Sequence, residues 1–194
     1  MTTLIFATNN EHKVSEIQSL LQEGIEVITL KQAGIDIDIP EPHDTLHENA
    51  TEKARTIFNI ASKNCFSEDT GLEIDALHGA PGVKSARYAG EDRNFQANID
   101  KVLSNLTNEH NRAAQFRTVI CLIWNKTEYF FEGICRGTIS LANAGTAGFG
   151  YDPIFIPEGA TKSFAEMNME EKNKFSHRQK AVTQLFEFIN AQQQ

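Results

Sequence analysis

Residues 115–124 of the chain read QFRTVICLIW, and residues 128–140 read EYFFEGICRGTIS. Both runs are rich in β-branched and aromatic residues, which favour strands, and only Asn125-Lys126-Thr127 separates them. Strands joined by so short a turn pair as an antiparallel hairpin. The sequence therefore predicts a long central hairpin, which repetition of parallel βαβ units alone would not produce.

The regions on both sides of the hairpin mix strand and helix patterns. Residues 4–7 are a short apolar run typical of a buried strand, and Thr45-Leu46-His47-Glu48 is a capping box that predicts the start of a helix. Further strands are predicted at 25–30, 64–68, 72–76 and 154–156, and further helices after Asn10, over 95–106 and after Ser176. The mixture predicts an α/β fold with a mixed β-sheet flanked by helices.

Length and charge limit the possible functions. A chain of 194 residues with 40% hydrophobic and 23% charged residues fits one globular domain, residues 1–194, with room for two lobes. The net charge of −8 argues against a partner that is a nucleic acid polymer, since such a protein needs a basic stripe. A small phosphorylated ligand is still compatible, because a few local cations are enough to hold it.

Cysteine usage and hydropathy predict the compartment. Cys65, Cys121 and Cys135 are an odd number without paired or zinc-ligand spacing, which favours buried thiols over a disulfide framework. The N-terminal residues lack the charged and apolar regions of a signal peptide, and no apolar run approaches the ~18 residues that span a bilayer. We therefore expect a cytoplasmic protein with no membrane partner.

The stretch SEDTGL at residues 67–72 contains two adjacent carboxylates, Glu68 and Asp69, between apolar segments. No Lys or Arg lies within three residues of either one, so their charges need a partner from elsewhere. A divalent metal such as Mg²⁺ is one candidate, because it binds through one or two carboxylates plus substrate phosphates. A solvated turn flanked by two strands is the other interpretation, since Asp-Thr-Gly is common in turns. These six residues alone leave both interpretations open.

Two predicted helix N-termini carry cations where the helix dipole disfavours them. The first is TNNEHK at residues 8–13, in which Lys13 lies in the first turn. The second is Ser176-His177-Arg178, with Lys172 and Lys174 just before it. Either terminus could bind an anion through its N–H groups and cations. Ordinary capping with solvated cations explains each of them as well.

The segment GFGYDP at residues 148–153 is a glycine-rich loop with aromatic residues. Its glycines would permit a flat ligand to approach the backbone, Phe149 could stack on a nucleobase, and Asp152 could accept hydrogen bonds from a base or a ribose. The Walker A signature, a strand-linked GxGxxG and a GxSxG elbow are all absent. The chain is therefore neither a P-loop enzyme nor a dinucleotide-binding Rossmann protein, and it has no elbow for a serine nucleophile.

Two charged residues outside these motifs complete the candidate site. Glu41 lies in a loop bounded by prolines, and if it folds near Asp69 the two carboxylates would form a divalent metal site. Lys53 lies on the helix predicted after Thr45. There it could bind phosphate, or it could simply be a neighbour of Glu48 on the helix.

Six segments, in order along the chain, resemble one known family. They are ATNNEHK at 7–13, Glu48-Asn49-Ala50 with Lys53-Ala54, EDTGL at 68–72, GAPG at 79–82 through SARYAG at 85–90, GFGYDP at 148–153, and Lys172 with Ser176-His177-Arg178. Together they cover nearly the whole chain. They resemble the inosine triphosphate pyrophosphatase family, the Ham1-like or dITP/XTP pyrophosphatases.

The resemblance implies an elongated mixed-sheet fold with two lobes, an active-site cleft between the lobes, and a homodimer. It also implies a Mg²⁺-dependent hydrolase. Such an enzyme converts non-standard purine nucleoside triphosphates (ITP, dITP and XTP) to the monophosphate and pyrophosphate, which removes them from the nucleotide pool. Selectivity would rest on the 6-oxo group of the purine, to which His177 and Arg178 could donate.

The family pattern also implies roles for individual residues. Glu41 and Asp69 would hold the metal, Asp69 would also accept the proton of the attacking water, and Glu68 would support Asp69. The substrate would be contacted by Thr8, Asn9, Asn10, Glu11, His12, Lys13, Lys53, Thr70, Phe149, Gly150, Tyr151, Asp152, Lys172, His177 and Arg178.

Two other functions remain compatible with these residues. A related Maf-type pyrophosphatase would act on pyrimidine or modified nucleotides. A nucleotide-binding sensor would bind without turnover, although the presence of Asp69 together with Lys13 favours an enzyme.

Overall fold

The computed structural model describes residues 2–192. Its strands and α-helices are β1 (Thr2–Phe6), α1 (Glu11–Gln18), β2 (Ile25–Thr29), α2 (Leu46–Ala61), β3 (Cys65–Ile74), β4 (Pro81–Gly82), α3 (Phe95–Asn105), β5 (Ala113–Trp124), β6 (Thr127–Ile139), β7 (Phe155–Pro157), α4 (Met169–Asn173) and α5 (His177–Gln192). The chain forms two compact units. Unit 1 comprises the residues up to Asp69, Thr118–Gly133 and those from Arg178 on, and unit 2 comprises Thr70–Arg117 and Ile134–His177.

The strands form one mixed sheet. Their order is β2-β1-β3-β5-β6-β7, with β4 paired to β3. β1 is parallel to both β2 and β3, whereas β4 is antiparallel to β3 and β7 is antiparallel to β6. The predicted α/β fold with a mixed sheet is confirmed.

The central hairpin forms as predicted, with one difference at its turn. β5 and β6 are neighbours in the sheet, and only Asn125 and Lys126 separate them. These two residues have positive φ angles of 50° and 69°, as two-residue turns that match the twist of a hairpin require. Thr127, which we predicted to belong to the turn, is the first residue of β6.

The interpretation of residues 67–72 as a solvated turn is wrong, and the two strands predicted at 64–68 and 72–76 are one strand. β3 runs without a break from Cys65 to Ile74. Gly71 serves the sheet, because a Cβ at this position would lie 2.7 Å from the carbonyl oxygen of Gly82 in β4, and only glycine lets the two strands approach so closely. Glu68 and Asp69 therefore lie inside a buried strand and are not part of a solvated loop.

Each unit has its own apolar core. In unit 1, buried side chains of β1, β3 and β5 pack with those of α1 and α5, and Phe6 stacks on Phe66 with 4.6 Å between ring centroids. In unit 2, Phe116 of β5 packs edge-on against Phe155 of β7 at 4.7 Å, next to buried residues of α3. Burying an aromatic or aliphatic side chain of this size contributes about 1.5–3 kcal/mol. Packing in the two cores therefore fixes the positions of the strands and of the polar residues on them.

The helices begin at the predicted caps. The side chain of Asn10 accepts hydrogen bonds from backbone N–H groups in the first turn of α1. Thr45 does the same for α2 by accepting the N–H of Glu48. These caps satisfy N–H groups that have no partner within a helix. Among residues 2–192, no helix is both long and apolar enough to cross a lipid bilayer.

Candidate active site

The charges of unit 1 are concentrated around Glu68, which is only 1% exposed on β3. Arg178, in the first turn of α5, donates from Nε to Glu68 Oε2 at 2.8 Å and from Nη2 to Glu68 Oε1 at 2.9 Å. Its Nη1 donates to the carboxylate of Glu16 in α1. Lys13 Nζ lies 3.2 Å from Glu68 Oε1. We call Lys13, Glu16, Glu68 and Arg178 the Arg178 network.

The Arg178 network compensates its own buried charges. Burial alone would raise the pKa of Glu68, but Arg178 and Lys13 lower that pKa to about 2. Burial also opposes the charge of Arg178, yet Glu68 and Glu16 raise the pKa of the guanidinium above its ordinary value. The two hydrogen bonds between Arg178 and Glu68 also fix the orientation of one side chain relative to the other. The network therefore fixes the start of α5 relative to β3 and α1.

Glu16 is a member of this network that the sequence analysis did not identify. It is 5% exposed and lies three residues after Lys13, so that both side chains share one face of α1. This spacing between an acid and the first-turn lysine was the available signal. The contact between Lys13 and Glu68 shows that this lysine is paired inside the protein and is not a solvated cation.

A second group of charges links β3 to α2 and the loop before it. Lys53 Nζ lies 2.6 Å from Glu41 Oε1 and 3.0 Å from Asp69 Oδ1. The exposed fraction of the side chain falls from 23% for Glu41 to 9% for Asp69 and 6% for Lys53. The structure thus brings the two predicted metal ligands to a single ammonium group. Lys53 faces these carboxylates and is not just a helix neighbour of Glu48.

Burial and the attraction between opposite charges oppose each other in this second group. Burial disfavours the charge of Lys53, but the attraction of Asp69 and Glu41 raises the pKa of the ammonium above its ordinary value. For Asp69, burial is the largest influence and raises the pKa, Lys53 and Lys13 lower it, the neighbouring carboxylate of Glu41 raises it, and the net result is a raised pKa. A carboxyl group with a raised pKa is a better proton acceptor near neutral pH than an ordinary aspartate.

The donor set fits a magnesium ion only in combination with other oxygen ligands. Within residues 2–192, no three His, Cys, Asp or Glu side chains are grouped so that they could hold a metal. Mg²⁺, however, takes one or two carboxylates and completes its shell with water and substrate phosphates. Glu41 and Asp69 already share one cation, the Lys53 ammonium. They therefore fit a site of this kind.

In unit 2, Asp152 anchors the glycine-rich loop. Its Oδ2 accepts the backbone N–H of Phe149 at 2.9 Å and a hydrogen bond from Lys172 Nζ at 2.6 Å. Lys172 Nζ also lies 5.4 Å from the ring centroid of Phe149 and 5.2 Å from that of Phe164, within the range of cation–π attraction. Three of the predicted substrate residues, Phe149, Asp152 and Lys172, are thus held in place by each other.

The glycines of this loop have different surroundings. Gly148 has a φ of +74°, and a Cβ there would lie 2.1 Å from Asp152 Oδ2. The loop itself therefore needs a glycine at this position so that Asp152 can fold back against it. Gly150 has a φ of +60°, and nothing lies within 4 Å of its Cβ position. A ligand could therefore approach the backbone at Gly150, whereas Asp152 occupies the space beside Gly148.

Two predicted substrate residues are built into the interior of unit 2. His177 is 3% exposed, and its ring stacks on Phe116 with 4.7 Å between centroids. Tyr151 is 4% exposed, and its hydroxyl donates to the carbonyl oxygen of Ser85 at 2.8 Å. Burial raises the pKa of Tyr151 above its usual range, so its phenol remains protonated and can keep this hydrogen bond. Both rings are fixed by protein contacts.

The remaining predicted residues lie at the start of α1 and on β3. Thr8 Oγ1 accepts the N–H of Asn10 at 3.1 Å, and Asn9 Nδ2 donates to a backbone carbonyl oxygen at 2.8 Å. Asn10 Oδ1 accepts the backbone N–H groups of His12 and Lys13, so Asn10 caps α1 as predicted. Of these residues, Asn9, Glu11 and His12 are exposed, whereas Thr8, Asn10 and Thr70 are partly exposed.

Known proteins similar to this chain share one family. The model of the Ham1 family matches residues 4–188. A dITP/XTP pyrophosphatase of Porphyromonas gingivalis is 52% identical over 190 residues, which cover 97% of this chain and 98% of the relative. A dITP/XTP pyrophosphatase of Flavobacterium johnsoniae is 49% identical over 188 residues, with coverage of 97% and 98%.

Solved structures share the fold. The Ham1 protein of Staphylococcus aureus has a TM-score of 0.89 at 35% identity, and a HAM1 protein from Coxiella burnetii has a TM-score of 0.90 at 36% identity. Each comparison covers 98% of this chain and 100% of the other. The mixed sheet and the buried charge groups define an α/β protein with a polar site on its strands and helix starts. The chain belongs to the Ham1 family, as the resemblance predicted.

Proposed function

We propose that this Ham1-family protein is a nucleoside triphosphate pyrophosphatase that hydrolyses ITP, dITP and XTP to the monophosphate and pyrophosphate. The observation that carries the proposal is the group of Glu41, Lys53 and Asp69, in which two carboxylates meet one cation in a largely buried setting. Family membership supports the reaction, and the relatives named dITP/XTP pyrophosphatase support the substrate class.

The proposed chemistry centres on Asp69. Glu41 and Asp69 would hold Mg²⁺. When it is bound, this ion would neutralise negative charge on the phosphate oxygens. Asp69 orients the attacking water and accepts its proton as the general base. Lys13 and Lys53 donate to phosphate oxygens and offset the negative charge that grows on the departing pyrophosphate.

The start of α1 is the proposed triphosphate-binding segment. Its residues Thr8, Asn9, Asn10, Glu11 and His12 lie at the N-terminal end of the helix, where N–H groups and the helix dipole favour anions. Lys13, next in sequence, lies 3.2 Å from Glu68. A bound phosphate would therefore compete with Glu68 for this lysine.

Base recognition is proposed for residues around the glycine-rich loop. Phe149 stacks on the purine, and His177 donates to its 6-oxo group. Adenine carries an amino donor at that position, and a buried donor left without an acceptor costs about 1–3 kcal/mol. Arg178, the residue after His177, would act on the same oxygen. The remaining proposed contacts are Thr70, Gly150, Tyr151, Asp152 and Lys172.

Pyrophosphate release from a nucleotide panel tests the proposal. The panel contains ITP, dITP, XTP, GTP, ATP, UTP and dUTP, each with Mg²⁺ and with a chelator. We expect hydrolysis of the first three in the presence of Mg²⁺ and its loss with the chelator. A preference for UTP or dUTP would favour a Maf-type enzyme, and tight nucleotide binding without release from any member would favour a sensor.

We also propose that the protein acts as a homodimer, as the family resemblance implies, and that it is cytoplasmic. All three cysteines are present as thiols, which fits a reducing compartment. Light scattering coupled to size-exclusion chromatography tests the dimer, and a mass of one chain at micromolar concentration would contradict it.

A further inference from the structure

The ammonium group of Lys53 lies where a metal ion shared by Glu41 and Asp69 would have to lie. It is within hydrogen-bond distance of both, at 2.6 Å from Glu41 Oε1 and 3.0 Å from Asp69 Oδ1. Its side chain is only 6% exposed, so solvent does not separate it from the carboxylates. Two carboxylates and one ammonium leave this group with a net charge of −1.

We propose that Lys53 acts as a built-in substitute for the metal, so that a divalent cation binds to Glu41 and Asp69 only by displacing the Lys53 ammonium, which then becomes available to a phosphate group. This inference deepens the proposed function, because it concerns the same site and adds an order to the binding of metal and substrate.

Electrostatics makes joint occupancy unfavourable. A metal coordinated by both carboxylates would place a double positive charge close to the ammonium. Like charges within a few ångströms of each other repel strongly where little solvent screens them, and Lys13 adds to the positive charge that acts on Asp69. Displacement removes this repulsion, and the long flexible side chain of a lysine permits such a movement.

The exchange would couple metal and triphosphate binding. Without metal, the carboxylates hold Lys53 and keep it from a phosphate. With metal, the site carries excess positive charge, which a triphosphate neutralises. Each ligand therefore increases the affinity for the other, as linkage requires. Lys53 would also keep two neighbouring carboxylates from repelling each other in the protein without metal.

Binding of Mn²⁺ alone, without nucleotide, tests the displacement. The free ion is measured by electron paramagnetic resonance at pH 8 for the wild type, Lys53→Met, Lys53→Arg and the control Lys63→Met, whose lysine is exposed just beyond α2. We expect Lys53→Met to bind Mn²⁺ at least about tenfold more tightly than the wild type, because the competing cation is gone. Lys53→Arg and Lys63→Met should stay within about threefold. Equal or weaker binding by Lys53→Met would overturn the proposal.

A measurement on the wild type does not depend on the folding of a variant. The ammonium signal of Lys53 in ¹⁵N-edited spectra is assigned by its loss in Lys53→Arg, and Mg²⁺ is then added without nucleotide. We expect this signal to shift or to disappear through exchange with water as Mg²⁺ binds. An unchanged signal at saturating Mg²⁺ would overturn the proposal. Because neither experiment requires turnover, absence of pyrophosphate release would refute the proposed function without affecting this test.

Discussion

Glu68 of β3 and Arg178 of α5 form a two-pronged ion pair across 110 positions of the sequence. Neither residue is more than 2% exposed, so water does not weaken their attraction. Glu68 directly precedes Asp69, and Arg178 directly follows His177. One ion pair therefore fixes the backbone next to the proposed proton acceptor and next to a proposed base-binding residue.

Replacing Arg178 by Met should destabilise the protein strongly. Removal of Arg178 takes the guanidinium away from two buried carboxylates, Glu16 and Glu68, and leaves Lys13 as the cation beside Glu68. Breaking a buried ion pair in this way costs about 3–5 kcal/mol. Urea unfolding followed by circular dichroism measures the change in the free energy of unfolding. Arg55→Met is the control, since Arg55 pairs with Glu128 but its side chain is 57% exposed, and we expect it to cost no more than about 1 kcal/mol. Equal effects of the two substitutions would contradict the buried role of Arg178.

Asp69→Asn should abolish most of the turnover while the fold is retained. The amide is nearly isosteric, but it cannot accept the proton of the attacking water. General-base catalysis contributes about 10²- to 10⁴-fold, so kcat for pyrophosphate release from ITP should fall by at least about 10²-fold. Asp75→Asn, at an exposed position just after β3, serves as the control and should retain wild-type activity. If Asp69→Asn keeps more than about a tenth of the wild-type kcat, Asp69 is not the proton acceptor.

Gly148→Ala should impair the site through Asp152. The new Cβ would lie 2.1 Å from Asp152 Oδ2, so the carboxylate must move away from Phe149 and Lys172. We expect KM for ITP to rise by about tenfold or more, because each lost charge-assisted hydrogen bond is worth about 1.5–3 kcal/mol. Gly159→Ala is a matched control, since Gly159 has a similar positive φ of +85° but no atom within 4 Å of its Cβ position. A KM that changes equally in both variants would show that backbone strain, and not displacement of Asp152, causes the effect.

The local features of this fold were predictable because they depend on neighbouring residues. The hairpin follows from two strand patterns around Asn125-Lys126, and the helix starts follow from Asn10 and Thr45. The error at residues 67–72 has the same origin. Asp-Thr-Gly is a turn pattern when it is considered alone, but here Gly71 accommodates β4, a segment that meets β3 only in the folded sheet.

The candidate site was predictable in composition but not in pairing. Glu68 and Asp69 have no cation near them in the sequence, so each needs one from elsewhere in the chain, and the two carboxylates find different cations. Arg178 and Lys13 satisfy Glu68, whereas Lys53 satisfies Asp69. These contacts join residues that are up to 110 positions apart, and no local pattern encodes them.

Cys65 and Cys121 should be nearly inert in the folded protein and should make its stability depend on alkaline pH. Burial raises the pKa of each thiol from 9.0 to about 12. At pH 8 the thiolate fraction in the folded state is then about 10³-fold lower than in the unfolded state, so both thiols should react with a disulfide reagent only after denaturation.

The sign of the pH effect follows from proton binding. Between pH 9 and 12 the unfolded chain has lost these protons and the folded chain keeps them, so the free energy of unfolding falls as pH rises, by up to about 1.4 kcal/mol per pH unit for each thiol. Below pH 9 this contribution is constant. Other groups titrate in the same range, so the measured quantity is the difference between the wild type and a Cys65→Ala/Cys121→Ala variant in urea unfolding at pH 8, 9 and 10. A difference that does not change with pH would contradict the burial of the two thiols as the cause of their raised pKa.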